Sequence, residues 1–127
     1  LTRRNIKITY YKESKRGIMS EFFRSETVRG EMEEITELQR ELYEVIKDFP
    51  KMSDEAKWHH IETVKELLEK QQIMWTRLSL SDDPQAKQMK QNLEIGSKEL
   101  GFGNADLGTI FKNMRTTLDA MQQNLRR

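Results

Sequence analysis

The sequence predicts an all-α fold: a small helical bundle with a long antiparallel helical hairpin, a short third helix and a C-terminal amphipathic helix. Three observations lead to this prediction. Apolar residues recur every three or four positions in three stretches, the period of a helix with one buried face. Charged residues make up 34% of the 127 residues, and there are only two prolines and six glycines. This composition is typical of helices with charged surfaces.

The first long helix is predicted to begin after Ser25 and to end near Asp48. Serine is a favoured N-cap residue, and Glu26 follows it in the first turn, where the helix dipole stabilises negative charge. Pro50 favours an end before it, because the residue that precedes a proline avoids the α conformation. The apolar stripe consists of Val28, Ile35, Leu42 and Phe49 at intervals of seven, with Leu38 and Val45 between them.

A second helix is predicted to begin after another N-cap, Ser53, and to continue to the break that begins at Ser79. Gln71 interrupts its apolar stripe at one inward position. The stripe consists of Trp58, Ile61, Val64, Leu68, Trp75 and Leu78. Since only about four residues join this helix to the first, we expect the two to form an antiparallel hairpin.

The third helix is predicted to be short and polar. Asp83 as N-cap and Pro84 at the first helical position indicate its start. We expect its inward face to consist of Ala86, Met89 and Leu93. Glycines at 96, 101 and 103 interrupt the chain after it, and we expect Leu100 and Phe102 to fill apolar gaps on the connecting loop.

The last helix is predicted to start at Asn104 or Asp106 and to run close to Leu125. Its apolar positions repeat at spacings of four and three, which places them on one face. They are Leu107, Phe111, Met114, Leu118, Met121 and Leu125. We expect this face to close the apolar groove that the other helices leave.

Charge divides the chain into two parts. Residues 1–18 carry six basic residues and one acidic residue, whereas the remainder carries sixteen basic and twenty acidic residues. We expect residues 1–18 to be a disordered basic leader or a gene-model extension, and residues 19–127 to form a single helical domain. The mildly acidic body lacks the basic balance of a nucleic-acid-binding domain. Binding to nucleic acid is therefore expected through the leader and Arg126-Arg127, and association with an anionic membrane through the leader.

Several classes of site are excluded or disfavoured by the residues. The chain has no cysteine, which excludes disulfides and thiolate metal sites. His59 and His60 are the only histidines, and adjacent helical residues point about 100° apart, so they do not chelate one metal together. No serine elbow or phosphate-binding loop is present. We therefore predict no enzyme activity, no cofactor and no metal site.

A protein-binding role is the leading functional hypothesis. Methionine and tryptophan at an incompletely closed groove suit an adaptable partner surface. We predict an adaptor or regulatory subunit that binds a protein partner, or a second copy of itself, through Trp58, Met74, Trp75, Phe102, Phe111 and Met114. The chain has no cysteine, no apolar segment long enough to span a bilayer and no apolar signal-peptide region, so we predict a cytoplasmic protein. The alternative hypothesis is nucleic-acid binding through residues 1–18.

Three short motifs occur in order along residues 20–126. They are Phe22-Phe23-x-Ser25-Glu26-x-Val28, Ile73-Met74-Trp75-x-Arg77-Leu78-Ser79-Leu80-Ser81-Asp82 and Ile110-Phe111-x-x-Met114. In these motifs the chain resembles a small family of helical proteins of cyanobacteria and their phages, known as domain of unknown function 1825. The resemblance implies an all-helical fold and a cyanobacterial or phage setting, and it supplies no catalytic residues.

Overall fold

The computed structural model describes residues 19–126, and all regular secondary structure in this range is helical. The α-helices are α1 (Glu21–Arg24), α2 (Glu26–Val45), α3 (Asp54–Leu80), α4 (Pro84–Ser97) and α5 (Leu107–Leu125). A 3-10 helix, Ile46–Lys51, continues α2, and a π-helical turn, Lys98–Phe102, follows α4. The all-α prediction is confirmed. The predicted leader, residues 1–18, lies outside the described residues.

Two of the predicted N-caps form as the sequence indicates. The Oγ atom of Ser25 accepts a hydrogen bond from the N–H of Val28 at the start of α2. The Oγ atom of Ser53 accepts one from the N–H of Ala56 at the start of α3. Both bonds satisfy backbone donors that have no partner within the first turn of a helix.

α3 is the central helix of the bundle. α2 packs along it in the antiparallel direction, so Glu31 near the start of α2 pairs with Arg77 near the end of α3, 2.7 Å apart. Beyond α2, the ring of Phe49 lies 5.4 Å from that of His60 near the start of α3. α5 also packs antiparallel to α3. α2 and α5 therefore flank α3 and run in the same direction as each other.

α1 is a helix that the sequence did not predict, and it is held against the start of α4. The N–H of Phe22 donates to Oδ2 of Asp83 (3.1 Å), and the N–H of Ser20 donates to Oε1 of Gln85 (2.8 Å). The buried cluster of the core lies beneath this junction and consists of Met19, Phe23, Val28, Met74, Leu78 and Ala86. The short helix thus places two aromatic rings against the end of α3 and the start of α4.

Asp83 performs two structural tasks. Its Oδ1 accepts hydrogen bonds from the N–H groups of Gln85 (2.9 Å) and Ala86 (3.4 Å), which is the predicted N-cap of α4. Its Oδ2 accepts the bond from Phe22 described above. Burial acts to raise the pKa of the Asp83 carboxyl, but hydrogen bonding, foremost from the N–H of Phe22, outweighs it and holds this pKa below its ordinary value.

The loop between α4 and α5 differs from the prediction. Leu100, expected to fill an apolar gap, is 79% exposed, and Leu93 of α4, expected to face inward, is 43% exposed. Gly101 (φ 95°) and Gly103 (φ 64°) both adopt the left-handed conformation that glycine tolerates best. These two residues turn the chain sharply between α4 and α5, which begins after Asp106.

Candidate functional site

A groove with two connected cavities runs along one face of α3. The inner cavity, of about 520 Å³, lies between α3 and parts of α2, α4 and α5. The outer cavity, of about 570 Å³, lies between α3 and α5. Gln71, Phe102, Ile110 and Met114 line both cavities, so the two form a continuous surface, which we call the α3 groove.

The floor of the α3 groove is one stripe of the central helix. Val64, Leu67, Gln71, Met74 and Leu78 follow one another at intervals of three or four residues. Such intervals place side chains on one face of a helix. Gln71, the polar residue that interrupts the predicted apolar stripe, therefore lies at the junction of the two cavities, with apolar residues on each side of it along α3.

α5 does not close this groove, contrary to the sequence-based expectation. The α5 residue Met114 remains 41% exposed, and Phe102 of the preceding turn remains 42% exposed. Farther along α5, Met121 is exposed as well. α5 instead packs beside α3 through Ile110 and, nearer its end, through Gln122, both of which are buried. The physical reason is that α5 lies alongside α3, where it forms a wall of the groove.

None of the residues that line the α3 groove is charged, although charged residues make up 34% of the chain. The lining consists of apolar side chains with a few amides and hydroxyls. Among these, the hydroxyl groups of Thr36 and Thr117 donate to carbonyl oxygens of their own helices, those of Met32 and Asn113. The ion pairs of α2 with α3, such as that of Glu34 with Lys70, involve residues outside the lining.

Five of the six residues predicted to bind a partner line the inner cavity. Met74 and Trp75 are buried and form its wall against the core, with exposed fractions of 5% and 8%. Phe102, Phe111 and Met114 lie on the α5 side, and Phe102 and Met114 are the exposed ones. The structure therefore brings these five residues together and gives them different positions: two in the interior and three towards the surface.

The sixth residue, Trp58, lies elsewhere, near the start of α3. Its ring makes an edge contact with that of His59, and the guanidinium carbon of Arg126 lies 5.0 Å from its centroid. Its indole Nε1 is buried and has no hydrogen-bond partner within residues 19–126. Its carbonyl oxygen accepts a hydrogen bond from Gln122 of α5. Trp58 thus belongs to the contact between α3 and α5.

A polar cluster fixes α5 on α3 beside Trp58. The buried side chain of Gln122 donates from Nε2 to Oε2 of Glu62 (2.7 Å) and accepts at Oε1 from Lys65 (3.0 Å). Nζ of Lys65 also lies 2.6 Å from Oδ1 of Asp119. This hydrogen bond from Lys65 lowers the pKa of the Asp119 carboxyl. The sequence does not indicate this cluster, because spacing within α5 gives no information about partners on α3.

The structure supplies no cluster of metal-binding side chains within residues 19–126. His59 lies 4.0 Å from the carboxylate of Glu55 one turn earlier, and both side chains are largely exposed. His60 contacts the ring of Phe49. The two histidines therefore have different neighbours. Within the same part of the chain, no helix combines the length and apolar character that crossing a membrane requires.

Comparison with known proteins places the chain in a family. Residues 20–125 match the model of a family described as a domain of unknown function, DUF1825. The match extends over most of the chain, and the chain belongs to this family. No curated protein matches the chain, and no solved structure matches it either.

Proposed function

We propose that this protein is a non-enzymatic cytoplasmic adaptor or regulatory subunit that binds another protein through the α3 groove. The observation that carries the proposal is the uncharged lining of an open groove on a chain rich in charge. Contiguous apolar surface exposed to water is unfavourable, and on folded proteins it commonly marks an interaction site.

The residues at the opening suit this role. Met114 and Phe102 are both exposed, and both line the two cavities. Methionine is flexible and polarisable, and aromatic residues are enriched among those that dominate binding energy at interfaces. Met74 and Trp75 also line the inner cavity, but they are buried and are part of the folded core. Substitution of Met74 or Trp75 would therefore disturb the fold together with binding.

The test is capture of a partner by the tagged full chain from a lysate of a cyanobacterium that encodes it. Three chains are compared: the wild type, Met114→Glu in the groove and Ile73→Glu on another face of α3. Ile73 is 43% exposed and lines neither cavity, so it matches Met114 in exposure and in the change of charge. Circular dichroism and urea unfolding establish that both variants remain folded.

We expect a protein partner at near-stoichiometric yield with the wild type and with Ile73→Glu, and loss of that partner with Met114→Glu. The yield should withstand nuclease and moderate salt, because an apolar interface does not depend on phosphate contacts. Retention of the same partner by a folded Met114→Glu chain would show that the groove is not the binding surface. Recovery of nucleic acid alone would indicate instead that the protein binds nucleic acid through the basic residues 1–18.

A further inference from the structure

We propose that the leader, residues 1–18, docks within its own chain in the inner cavity of the α3 groove, with its basic residues beside the acidic side of α2. The docked leader would occupy part of the surface that a protein partner uses, and would therefore compete with that partner. Only this competition rests on the proposed function, because the docking itself requires no partner.

The leader begins at one end of the inner cavity. Met19, to which it is joined, is buried in the same cluster as Val28 near the start of α2 and Ala86 near the start of α4. Met32 and Met89 pack against this cluster, and both also line the inner cavity. The chain that precedes Met19 therefore starts beside the cavity, at the end where α2 and α4 both begin.

The inner cavity forms a cleft between α2 and α4. Ile35 and Gln39 of α2 lie on one wall, Leu93 and Gly96 of α4 lie on the other, and the two helices are not packed closely against each other. From residue 32 to residue 39 the axis of α2 rises about 10 Å. Eighteen residues can extend to about 60 Å, so the leader is long enough to follow this cleft from Met19.

The charge of α2 is opposite to that of the leader. α2 contains seven glutamates and two arginines, which give a net charge of −5. The leader contains six basic residues and one acidic residue, which give +5. The other long helices are close to neutral: α3 has five acidic and four basic residues, and α4 and α5 each have one acidic and two basic residues. α2 is therefore the helix that attracts the leader most strongly.

The acidic side of α2 lies next to the cleft. Two of its seven glutamates face α3 and form the ion pairs with Arg77 and Lys70. Three others, at positions 33, 37 and 44, recur at intervals of four and seven, which places them on one face of the helix. Consecutive helical residues point about 100° apart, so this face adjoins Met32 and Thr36, which line the cavity. A basic segment in the cleft would therefore have these carboxylates beside it.

The apolar residues of the leader suit the uncharged lining. Ile6, Ile8 and Tyr10 alternate along the leader, and Tyr11 follows them. In an extended segment, alternate residues point to the same side and can enter an apolar cleft together, while the residues between them stay in water. Tyrosine combines a large apolar ring with a hydroxyl group, which suits a cleft with the amide of Gln39 on its wall.

Attachment to the same chain favours the leader over other occupants. A segment on a short tether acts at an effective concentration in about the millimolar range. A symmetric contact of two copies across the cleft would instead bring together two α2 helices that each carry a net charge of −5, and these repel each other. A separate protein would have to supply a basic segment of its own and displace the tethered one.

Disulfide trapping in the full chain tests the docking. The chain has no cysteine, so two introduced cysteines form a unique pair. One chain carries Thr9→Cys with Gln39→Cys on the wall of the cleft, and the control carries Thr9→Cys with Ile73→Cys. Ile73 is exposed and adjoins Met74, which belongs to the same cluster as Met19, so the leader can reach it as well. The reactivity of each single thiol towards a small disulfide reagent normalises the rates.

We expect the intramolecular disulfide to form at least about tenfold faster with Gln39→Cys than with Ile73→Cys. The difference should decrease in about 1 M NaCl, where charges more than about 3 Å apart are screened. It should also decrease when three glutamates of α2 are replaced by glutamine, and it should persist when three exposed glutamates of α3 are replaced in the same way. The first set is Glu33, Glu37 and Glu44, and the control set is Glu55, Glu66 and Glu69. Circular dichroism and urea unfolding establish that each chain is folded.

Three outcomes would overturn the docking. They are equal rates at the two positions, disulfide-linked dimers whose yield rises with protein concentration in place of the intramolecular bond, and a rate that the α2 replacements leave unchanged. None of these outcomes depends on a partner, so each leaves the proposed function standing. For the competition, replacement of the six basic residues of the leader by glutamine should increase the affinity for the purified partner. An unchanged affinity would overturn the competition.

Discussion

Replacement of Asp83 by alanine removes two structural contacts in one step. Loss of a helix N-cap costs about 1 kcal/mol, here through the bonds to Gln85 and Ala86. Loss of the hydrogen bond from Phe22 to a charged, partly buried acceptor costs about another 1–1.5 kcal/mol. The free energy of unfolding should therefore fall by about 2–2.5 kcal/mol, which lowers the urea midpoint by about 1 M.

Urea unfolding followed by circular dichroism measures this change, and two control variants accompany it. Asp82→Ala alters the neighbouring exposed aspartate, which makes no such bonds within residues 19–126, and should change stability by less than about 0.5 kcal/mol. Asp83→Asn retains a capping oxygen and should lose about 1 kcal/mol. An Asp83→Ala chain within about 0.5 kcal/mol of the wild type would refute the double role assigned to this carboxylate.

The lowered pKa of Asp83 adds a dependence on pH. Its folded-state pKa lies below the ordinary value of 3.8, so the ionised carboxylate contributes stability that is fully present above that value. This contribution disappears as the pH falls through the folded-state pKa. The difference in unfolding free energy between wild type and Asp83→Asn should therefore be constant near neutral pH and shrink below about 3.8.

Three further predictions concern the loop, the polar cluster and the leader. Gly101→Ala should lower the free energy of unfolding by about 1 kcal/mol, because alanine disfavours a φ of 95°. Gly96 lies inside α4 with open space around it, so Gly96→Ala should raise the free energy of unfolding by about 0.5–1 kcal/mol. Gln122→Leu should cost about 1–3 kcal/mol in urea unfolding because it breaks three partly buried hydrogen bonds, and the exposed Gln123→Leu should cost little. If residues 1–18 bind single-stranded DNA, the binding constant should decrease as salt is added, and a plot of its logarithm against the logarithm of the salt concentration should have a slope down to about −4. Replacement of the six basic residues in this segment by glutamine should abolish the binding.

Local signals in the sequence predicted most of the helical architecture. Ser25, Ser53 and Asp83 are caps that act within their own turns, and each marks a helix start in the structure. The antiparallel hairpin of α2 and α3 followed from the short connection between them. These features depend on neighbours in the chain, so a single sequence contains the information that specifies them.

Contacts between distant residues could not be predicted in this way. The docking of α1 depends on Phe22 meeting Asp83, and the polar cluster depends on Gln122 of α5 meeting Lys65 of α3. Periodicity identified α5 as amphipathic but did not specify which side of α3 it would pack against. The periodicity of α5 therefore could not predict whether this helix closes the groove. For the same reason, spacing did not separate buried Trp75 from exposed Met114.

The most direct test of the central claim is the dissociation constant of the purified partner for three folded chains: wild type, Met114→Glu and Ile73→Glu. The groove account predicts that Met114→Glu weakens binding by at least about tenfold, since a carboxylate would be buried against an uncharged lining. Ile73→Glu, which introduces the same charge on another face of α3, should bind as the wild type does. Equal affinities of the wild type and Met114→Glu would contradict the account.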